Sequence, residues 1–516
     1  MATLIRDWIE QAAACHGADL YLADARGPAA VSYAGLRDTV ADVERRLDAA
    51  GLPPGARIVV RLGEPVEYAT ALVAIVAAGR VAVPLDPAAP DTDVARVLGV
   101  AQPAAVIYRV DVPPGRVQGG LTGEVTRPFD TTEFDFDVID SVDPVGAAAT
   151  APAGPPSTPA EGGGGSRPAG GIFLCTSGTT GTPKGILLRE EQLAHVASSV
   201  VEAHRLGRGD RGYCSLPLFH VNAEVVGVLA TLRAGAYLAL DRKFSRRGFW
   251  PVIRERGITW INAVPAIISI LAMEPPADRP AALRFVRSAS APLPLASLQR
   301  FEAALGVPVV ETYGMTEAAS MITANPVDGP RKQGSAGRPA GSQVKIELPD
   351  GGSAAPGEVG RVRIRGAGVI AAYDSGGRPG VIDADGWLDT SDLGYLDADG
   401  YLFLVGRADD VINRGGEKIY PREIEEILLA QPGVRSAAVV GAADVVLGER
   451  PVAYVVTDAA TAAAEVEVEA ALREVCATRL PRHKQPSEFC LVTEMPLGPT
   501  GKISRRQLKD LVSSRP

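Results

Sequence analysis

A run of glycines, hydroxyl-bearing residues and one lysine is the feature of this 516-residue sequence whose residue types could do chemistry most directly. It reads CTSGTTGTPKG, from Cys175 to Gly185, and follows the apolar segment GIFL. Glycines leave backbone amides accessible, hydroxyl groups donate hydrogen bonds and Lys184 adds a cation, so the run could cradle phosphate oxygens. Its composition is equally compatible with a plain Gly/Ser turn between a strand and a helix.

The spacing within this run excludes two well-known nucleotide-binding signatures. A P-loop needs GxxxxGK[ST], in which the lysine directly follows a glycine and precedes Ser or Thr. Here Lys184 follows Pro183 and precedes Gly185. The dinucleotide pattern GxGxxG also fails, because Gly178 and Gly181 are three positions apart. A phosphate site here would therefore belong to another class of enzyme.

The elements that position this run follow an alternating pattern. Between about residues 31 and 108, apolar strand-like runs alternate with helix-period stretches that end at glycine, and the alternation resumes after the glycine-rich run. This predicts an α/β fold with parallel strands joined by crossover helices. Residues 145–171 are dense in Gly, Pro and Ala without periodicity, which predicts a flexible loop.

The pattern changes twice towards the C-terminus. After residue 340, short alternating strands such as GRVRIRG are separated by turn signals such as PDGG, which predicts a small β-rich subdomain. Beyond GRADD, helix and strand patterns predict a small α+β domain. We therefore expect a large N-terminal domain, residues 1–408, with mixed and parallel sheets, and a small mobile C-terminal domain, residues 409–516.

Composition narrows the function classes. The formal net charge of −9 argues against a nucleic-acid partner, which would call for a basic surface. The five cysteines never form a CxxC pair, so neither a disulfide framework nor a zinc site is predicted. No apolar run approaches the roughly 20 residues of a membrane helix, and MATLIRDWIEQAAACH reads as an amphipathic helix. We expect a cytoplasmic protein without a membrane partner.

Five motifs, in order along nearly the whole chain, resemble the adenylate-forming superfamily, which includes acyl-CoA synthetases, stand-alone adenylation domains and luciferases. The motifs are TSGTTGTPKG (176–185), ETYGMTE (311–317), GWLDTSDLG (386–394), GRADDVINRGGEKIYPREIE (406–425) and PLGPTGKISRR (496–506). The resemblance implies that ATP activates a small carboxylic acid as an acyl-adenylate with release of pyrophosphate. A thiol, that of CoA, then displaces AMP. ATP, Mg²⁺ and CoA are the implied cofactors, in a monomer or homodimer.

The resemblance also implies roles around the phosphates. The residues expected to bind the β- and γ-phosphates are Thr176, Ser177, Gly178, Thr179, Thr180, Gly181 and Lys184. Thr316 would contact the α-phosphate and Glu317 would bind Mg²⁺, an ion that prefers one or two carboxylates together with phosphates. Lys502 would reach the reacting carboxylate and the α-phosphate from the C-terminal domain during adenylation.

For the nucleoside, the resemblance implies that Tyr313 stacks on adenine. Asp392 would accept hydrogen bonds from the ribose hydroxyls with help from Arg407, although Ser391 stands where the family usually has glycine. The remaining residues expected at the nucleotide are Glu311, Thr312 and Gly314 on one side and Ser290, Ala291 and Pro292 on the other.

A further set of residues is expected to serve the second half-reaction. Asp409 matches the hinge about which the small domain of the family turns between its two poses. Gly415 and Gly416 would line the channel for pantetheine, where absent side chains permit close approach.

The segment LPLFHVNAE (216–224) resembles the part of the family that gates the carboxylate and lines the acyl pocket. His220 would be the gate, and the expected pocket residues are His220, Asn222, Ala223, Glu224 and Met315. Nearby stretches most resemble oxalate-, malonate- and fatty-acid-CoA ligases. Those often have His or Gly where Asn222 and Ala223 stand, so the identity of the acid does not transfer.

Glu224 is the least family-like of these residues. A buried carboxylate is costly unless it is paired, so Glu224 is expected to meet either a protein cation such as Arg233 or Arg287, or a donor on the substrate. In the second case it would favour an amino- or hydroxy-substituted acid and disfavour oxalate and malonate.

Two alternative functions share most of these motifs. A stand-alone adenylation enzyme would pass the acyl group to a carrier protein, an amine or another nucleophile instead of CoA. A non-catalytic nucleotide-binding homologue is disfavoured because the candidate catalytic side chains are all present, namely Lys184, Glu317, Asp392, Arg407 and Lys502.

Overall fold

The computed structural model describes residues 4–109, 134–138, 170–177, 183–377, 379–458, 462–497 and 503–513. Several sequence predictions therefore lie outside the described residues: those for Gly178, Thr179, Thr180, Gly181 and Lys502, and that of a flexible loop, of whose range only residues 170 and 171 are described.

The strands are numbered in chain order. They are β1 Leu20–Asp24, β2 Ala30–Ser32, β3 Arg57–Val60, β4 Val81–Pro84, β5 Ala105–Arg109, β6 Phe134–Val138, β7 Gly171–Ser177, β8 Pro183–Arg189, β9 Arg211–Cys214, β10 Tyr237–Leu240, β11 Trp260–Ala263, β12 Phe285–Ser288, β13 Val309–Met315, β14 Ser320–Ala324, β15 Arg338–Pro339, β16 Gln343–Glu347, β17 Gly360–Arg365, β18 Leu388–Leu396, β19 Leu402–Arg407, β20 Ile412–Arg414, β21 Glu417–Ile419, β22 Val434–Asp444, β23 Gly448–Thr457 and β24 Glu488–Leu491.

The helices are numbered in the same way. The α-helices are α1 Leu4–His16, α2 Tyr33–Ala49, α3 Pro65–Ala77, α4 Asp91–Ala101, α5 Glu190–His204, α6 Ala230–Ala234, α7 Phe249–Glu255, α8 Pro265–Met273, α9 Leu295–Leu305, α10 Pro421–Leu429, α11 Ala462–Arg479 and α12 Arg505–Ser513. A π-helix spans Asn222–Leu229, and 3-10 turns span Thr316–Ala318, Ala408–Asp410 and Arg482–Lys484.

Two large sheets form the N-terminal part of the fold. A six-stranded sheet has the order β6-β5-β3-β4-β7-β8, and a nine-stranded sheet has the order β15-β14-β13-β12-β11-β9-β10-β1-β2. The inner strands of both sheets run parallel, while β2, β6, β8, β14 and β15 pair antiparallel at the edges. The predicted parallel α/β architecture is thus confirmed.

Helix α3 shows why these elements pack as they do. Pro65 stands in its first turn, where a missing amide hydrogen costs nothing, and every residue from Val66 to Ala77 except Glu67 is buried. A helix that is apolar all round has to be enclosed on all sides. Accordingly α3 packs against strands of both large sheets and lies in the main hydrophobic core.

Two smaller sheets follow. Strands β16 to β19 form an antiparallel four-stranded sheet in chain order, which is the predicted β-rich subdomain. The last sheet has the order β21-β20-β23-β22, with β24 beside β23, and its helices α10 and α11 enclose a separate apolar cluster. Strand β19 belongs to the four-stranded sheet and β20 to the last sheet, so the chain passes from one sheet to the other across residues 408–411. The domain boundary between residues 408 and 409 stays a prediction.

The described helices include none that is long and apolar enough to cross a membrane.

Candidate active site

The glycine-rich run from Cys175 to Gly185 lies at the end of an antiparallel hairpin. Strands β7 and β8 pair with Thr176 opposite Lys184 and Ser177 opposite Pro183. The run therefore joins two strands, and it is not the strand-to-helix turn that its composition also allowed. This pairing fixes Lys184 at the base of the loop, and its ammonium nitrogen lies 5.0 Å from the centre of the Tyr373 ring.

Tyr373 connects this lysine with the candidate metal ligand. Its hydroxyl donates a hydrogen bond of 2.9 Å to Oε1 of Glu317, a buried residue in the 3-10 turn that follows β13. Lys184 and Glu317 are thus brought together by contacts to one side chain. Sequence reasoning missed Tyr373, because it lies 56 positions from Glu317 and only the fold brings the two together.

A backbone contact secures the same region. The amide of Gly185 donates to the carbonyl of Ser375 (3.0 Å), and the amide of Asp374 donates to the carbonyl of Gly185 (2.9 Å). A side chain at position 185 would lie 2.6 Å from Oγ of Ser375 and 2.7 Å from Cζ of Phe173, which explains the glycine. The base of the hairpin and the segment carrying Tyr373 are therefore held in one register.

A second polar cluster surrounds Asp392. Its Oδ2 accepts a 2.5 Å hydrogen bond from the Tyr313 hydroxyl, and its Oδ1 accepts a 3.3 Å bond from Nη1 of Arg407, its partner across the β18–β19 pair. Burial, followed by the nearby Asp392 carboxylate, raises the pKa of Tyr313 well above its ordinary value, so the phenol stays protonated and donates. These three predicted nucleoside residues meet in the structure.

Ser391 departs from the family pattern at a conformationally demanding position. Its φ is 62°, in the left-handed region where glycine is favoured. Its amide donates to Oδ1 of Asp389 (2.8 Å), and the next amide, that of Asp392, donates to Oγ1 of Thr390 (3.1 Å). The irregular stretch of β18 that carries Asp392 is thus kept with serine in place of glycine.

Strand β13 carries most of the remaining nucleotide candidates. A Cβ at Gly314 would lie 1.4 Å from the carbonyl oxygen of Ser320, so only glycine fits beside β14. Oγ1 of Thr312 donates to the carbonyl of Ser288 (3.2 Å), and Met315 packs against the main core. Glu311 lines a cavity of about 100 Å³, and burial raises its pKa to about 7 against the opposing effect of Arg422.

The candidate nucleotide residues on the other side from β13 lie in a loop. Ser290, Ala291 and Pro292 are exposed and follow β12 at the carboxyl ends of the parallel strands, with Ser290 in the left-handed region at φ 74°. Ligands of open α/β sheets bind at this edge. The loop is accordingly accessible to a nucleotide.

The acyl-pocket segment winds into a π-helix, which the sequence did not predict. The half-buried His220 accepts hydrogen bonds from the amides of Ala223 (3.0 Å) and Glu224 (3.2 Å) at its carbonyl. Asn222, Ala223 and Glu224 are buried, and Nδ2 of Asn222 donates to Oγ of Ser290 (3.3 Å). π-Helical turns are rare and frequently mark functional sites.

Of the two alternatives for Glu224, the pairing with Arg233 or Arg287 is contradicted, while a donor on the substrate stays a prediction. Neither carboxyl oxygen of Glu224 has a hydrogen-bond partner among the described residues. Arg233 stacks on Trp8, and Arg287 hydrogen-bonds two asparagines. Burial raises the pKa of Glu224 well above its ordinary value, which favours the neutral acid and removes the need for a cationic partner.

The hinge candidate and the two channel glycines lie around β20. Asp409 is in the 3-10 turn between β19 and β20, and its carbonyl accepts a 3.4 Å hydrogen bond from Nζ of Lys509. Gly415 and Gly416 form the two-residue turn of the β20–β21 hairpin with φ of 60° and 91°. Such a turn requires left-handed residues, which by itself accounts for both glycines.

The described residues hold no group of three or more His, Cys, Asp or Glu side chains that could form a protein-only metal centre. Mg²⁺ does not need one, since one or two carboxylates, substrate phosphates and water complete its shell. The buried carboxylate of Glu317 beside the phosphate hairpin fits that requirement.

Comparison with known proteins agrees with this arrangement. The model of the AMP-binding enzyme family matches residues 9–374, and that of the AMP-binding enzyme C-terminal domain matches residues 423–502. The sulfoacetate–CoA ligase of Cupriavidus necator is 37% identical over 484 residues, covering 93% of this chain and 92% of that protein. The oxalate–CoA ligase of Arabidopsis thaliana is 38% identical over 346 residues, 65% of this chain and 66% of that protein.

Among solved structures, the o-succinylbenzoate–CoA synthetase of Bacillus subtilis bound to its acyl-adenylate intermediate matches with a TM-score of 0.80. It is 26% identical, and the match covers 98% of each chain. The same enzyme bound to ATP and magnesium matches with a TM-score of 0.79 at 27% identity.

The chain belongs to the family of AMP-binding enzymes. Within it the protein is an AMP-forming acid–CoA ligase, which activates a carboxylic acid with ATP and transfers the acyl group to CoA.

Proposed function

We propose that this chain performs the adenylation of a small carboxylic acid with the two polar clusters described above. The observation that carries the proposal is that β13 and the turn after it bear Tyr313, hydrogen-bonded to Asp392, and Glu317, hydrogen-bonded to Tyr373. The two residues are four positions apart in the chain, one in β13 and the other in the 3-10 turn that follows it. A nucleoside site and a metal–phosphate site at that separation suit the two ends of one ATP molecule.

At the nucleoside end, Tyr313 stacks on adenine opposite the loop of Ser290, Ala291 and Pro292. Asp392 accepts hydrogen bonds from Tyr313 and Arg407, and a carboxylate has about four acceptor positions. That capacity suits the Asp392 carboxylate to accept from the ribose hydroxyls as well.

At the phosphate end, an anionic carboxylate attacks the anionic α-phosphorus. Catalysis of such a step depends on positioning and on neutralisation of charge. Lys184 and the hairpin loop bind the β- and γ-phosphates, and Thr316 binds the α-phosphate. Glu317 would hold Mg²⁺, which would supply neutralisation of the charge that develops on the leaving pyrophosphate. Tyr373 orients the Glu317 carboxylate by its hydrogen bond.

The same proposal assigns the second step to the C-terminal region. Lys502 reaches the carboxylate and the α-phosphate during adenylation and leaves when this region turns about Asp409. Gly415 and Gly416 then line the path of pantetheine, and the CoA thiol displaces AMP. The position of Asp409 in a short turn between two sheets is consistent with a hinge.

The acid enters beside His220 and lies along the π-helix. The relatives named for sulfoacetate, oxalate and succinylbenzoate act on small acids, which supports a small acid here. CoA, rather than a carrier protein, is the acceptor in all three names.

The role of Glu317 is tested by Glu317→Gln. A neutral amide is a poor ligand for a hard cation, so the Mg²⁺ concentration for half-maximal pyrophosphate exchange should rise by about tenfold or more. Calorimetry should show that Mg·ATP binds more weakly while ATP with EDTA binds as in the wild type. Glu255→Gln, at an exposed glutamate of α7, is the control. An unchanged Mg²⁺ requirement in Glu317→Gln would remove Glu317 from the metal site.

A further inference from the structure

A row of polar side chains crosses adjacent strands of the nine-stranded sheet next to the π-helix. Cys214 of β9, Asn262 of β11 and Arg287 of β12 occupy matching register positions on three adjacent parallel strands. Each lies within one residue of the carboxyl end of its strand, the edge at which open α/β sheets bind ligands. Flanking strand positions such as Ile261, Ala263 and Val286 are apolar and buried, so these polar residues need a reason to be there.

Hydrogen bonds join this row to the π-helix and to the exposed loop after β12. Nη1 of Arg287 donates to Oδ1 of Asn222 (2.7 Å) and to Oδ1 of Asn262 (2.9 Å). Nδ2 of Asn262 also donates to Oδ1 of Asn222 (3.3 Å), and Nδ2 of Asn222 donates to Ser290 (3.3 Å). One network thus runs from the proposed nucleotide wall down to a guanidinium in the interior.

Arg287 has no anionic partner in the part of the chain that the structure describes. It is 1% exposed, and Nε is buried without a hydrogen-bond partner. Its contacts are with neutral amide oxygens, and burial lowers its pKa to about 9. A buried, uncompensated cation is strongly unfavourable, whereas an anion at hydrogen-bonding distance recovers much of the desolvation cost.

We propose that Arg287, held by Asn222 and Asn262, binds a second anionic group of the acid substrate, a carboxylate or a sulfonate at the end remote from the reacting carboxyl. The inference rests on the proposed function, since it requires the acid to lie between Ser290 and the sheet. A guanidinium presents several donors in a fixed fork and suits either anion. Asn222 and Asn262 both accept hydrogen bonds from its Nη1 and so help to orient it.

The state of Glu224 is compatible with a dianionic acid. The sequence predicted that an ionised Glu224 facing the pocket would repel a second substrate carboxylate. Burial raises the pKa of Glu224 and so favours its neutral form, which carries no charge that could do so.

The test compares each dianionic acid with a neutral analogue of nearly the same shape. The pairs are malonate and malonamate, succinate and succinamate, and 3-sulfopropanoate and 3-(methylsulfonyl)propanoate. For each acid, kcat/KM is measured in ATP–pyrophosphate exchange without CoA. In the wild type, the dianion of at least one pair should be preferred by roughly ten- to a hundredfold, as expected for a charged hydrogen bond in a desolvated site.

Arg287→Met should bring that preference close to unity by raising KM for the dianion while leaving the neutral analogue unchanged. Arg287→Lys keeps the positive charge but loses the planar set of guanidinium donors, so it should retain part of the preference for the dianion. Arg233→Met, at the arginine stacked on Trp8, is the control and should keep the full preference. Melting temperatures of all variants show whether they are folded.

Three results would overturn the inference. The first is a wild-type preference for the neutral member of every pair, and the second is a preference for the dianion that survives in Arg287→Met. The third is an equal loss of kcat/KM for both members of a pair, which would place Arg287 at the shared carboxylate or in the scaffold. The first of these needs no variant to fold. Exchange with no small acid at all would remove the proposed function itself, whereas exchange with neutral analogues alone leaves that function intact.

Discussion

Glu224 and Arg287 show at the scale of single residues how burial changes what an ionisable side chain can do. Both are fully buried near the π-helix without an oppositely charged partner among the described residues. Burial raises the pKa of the Glu224 carboxyl group, which favours its protonated, neutral form. A guanidinium keeps its charge far more strongly, so the cost remains in Arg287 until an anion arrives.

Glu224→Gln tests the protonation of Glu224 through stability. The native state holds a proton on Glu224 that the unfolded chain loses above its ordinary pKa of 4.5, so the wild type loses stability as pH rises. The amide that replaces the carboxyl group in the variant does not titrate. The stability of the variant relative to the wild type should therefore increase between about pH 5 and pH 8, by at most about 1.4 kcal/mol per pH unit.

Thermal melting at several pH values measures this difference. Glu255→Gln, at an exposed position, provides the control and should show no such trend. A difference between Glu224→Gln and the wild type that is constant over this range would mean that Glu224 is ionised in the native protein.

At the scale of elements, the β7–β8 hairpin and the segment of Tyr373 to Ser375 act as one unit. Three backbone hydrogen bonds to Gly185 set their register, and the Tyr373 ring lies against Lys184. Arg57 extends the unit to β3 through an ion pair of 2.7 Å with Asp374. The position of Lys184, the proposed phosphate-binding lysine, thus depends on a distant segment as well as on its own loop.

Gly185→Ala should separate these two segments. The new methyl group would overlap Ser375 and Phe173, and overpacking of this kind costs about 1–3 kcal/mol. We expect a lower melting temperature and a several-fold higher KM for ATP. Gly99→Ala in α4 is the matched control, because nothing lies within 4 Å of its Cβ, and better helix propensity should leave stability equal or slightly higher. Equal ATP affinity in the two variants would show that the register of Gly185 does not position Lys184.

At the scale of the whole molecule, much of the architecture could be predicted from local pattern. RIVV, VAVP and AVIY form the parallel strands β3, β4 and β5 because apolar runs between helix-period stretches have to be covered on both faces. Strand β18 was not predicted as a strand, since LDTSDLGYL mixes polar turn-forming residues with apolar ones and is held by pairing with β17 and β19.

Some residues of the candidate site could also be predicted from the sequence, and others could not. Tyr313, Glu317, Asp392 and Arg407 were found because they stand in contiguous motifs. Tyr373 was missed because its role depends on contacts with residues far away in the chain. The functional interest of Asn262 and Arg287 was also missed, although a signal existed. Asn262 is the single polar residue of the strand run WINA, and Arg287 is a charged residue inside the buried run FVRS.

Acid-dependent exchange of pyrophosphate into ATP in the absence of CoA tests the central claim most directly. If the chain forms an acyl-adenylate, exchange should require the acid and Mg²⁺ but not CoA, and addition of CoA should then yield AMP and the acyl thioester. Lys502→Ala should lower exchange by several orders of magnitude while thioester formation from a supplied acyl-adenylate continues. Exchange that requires CoA, or ADP and phosphate as the products, would contradict the account.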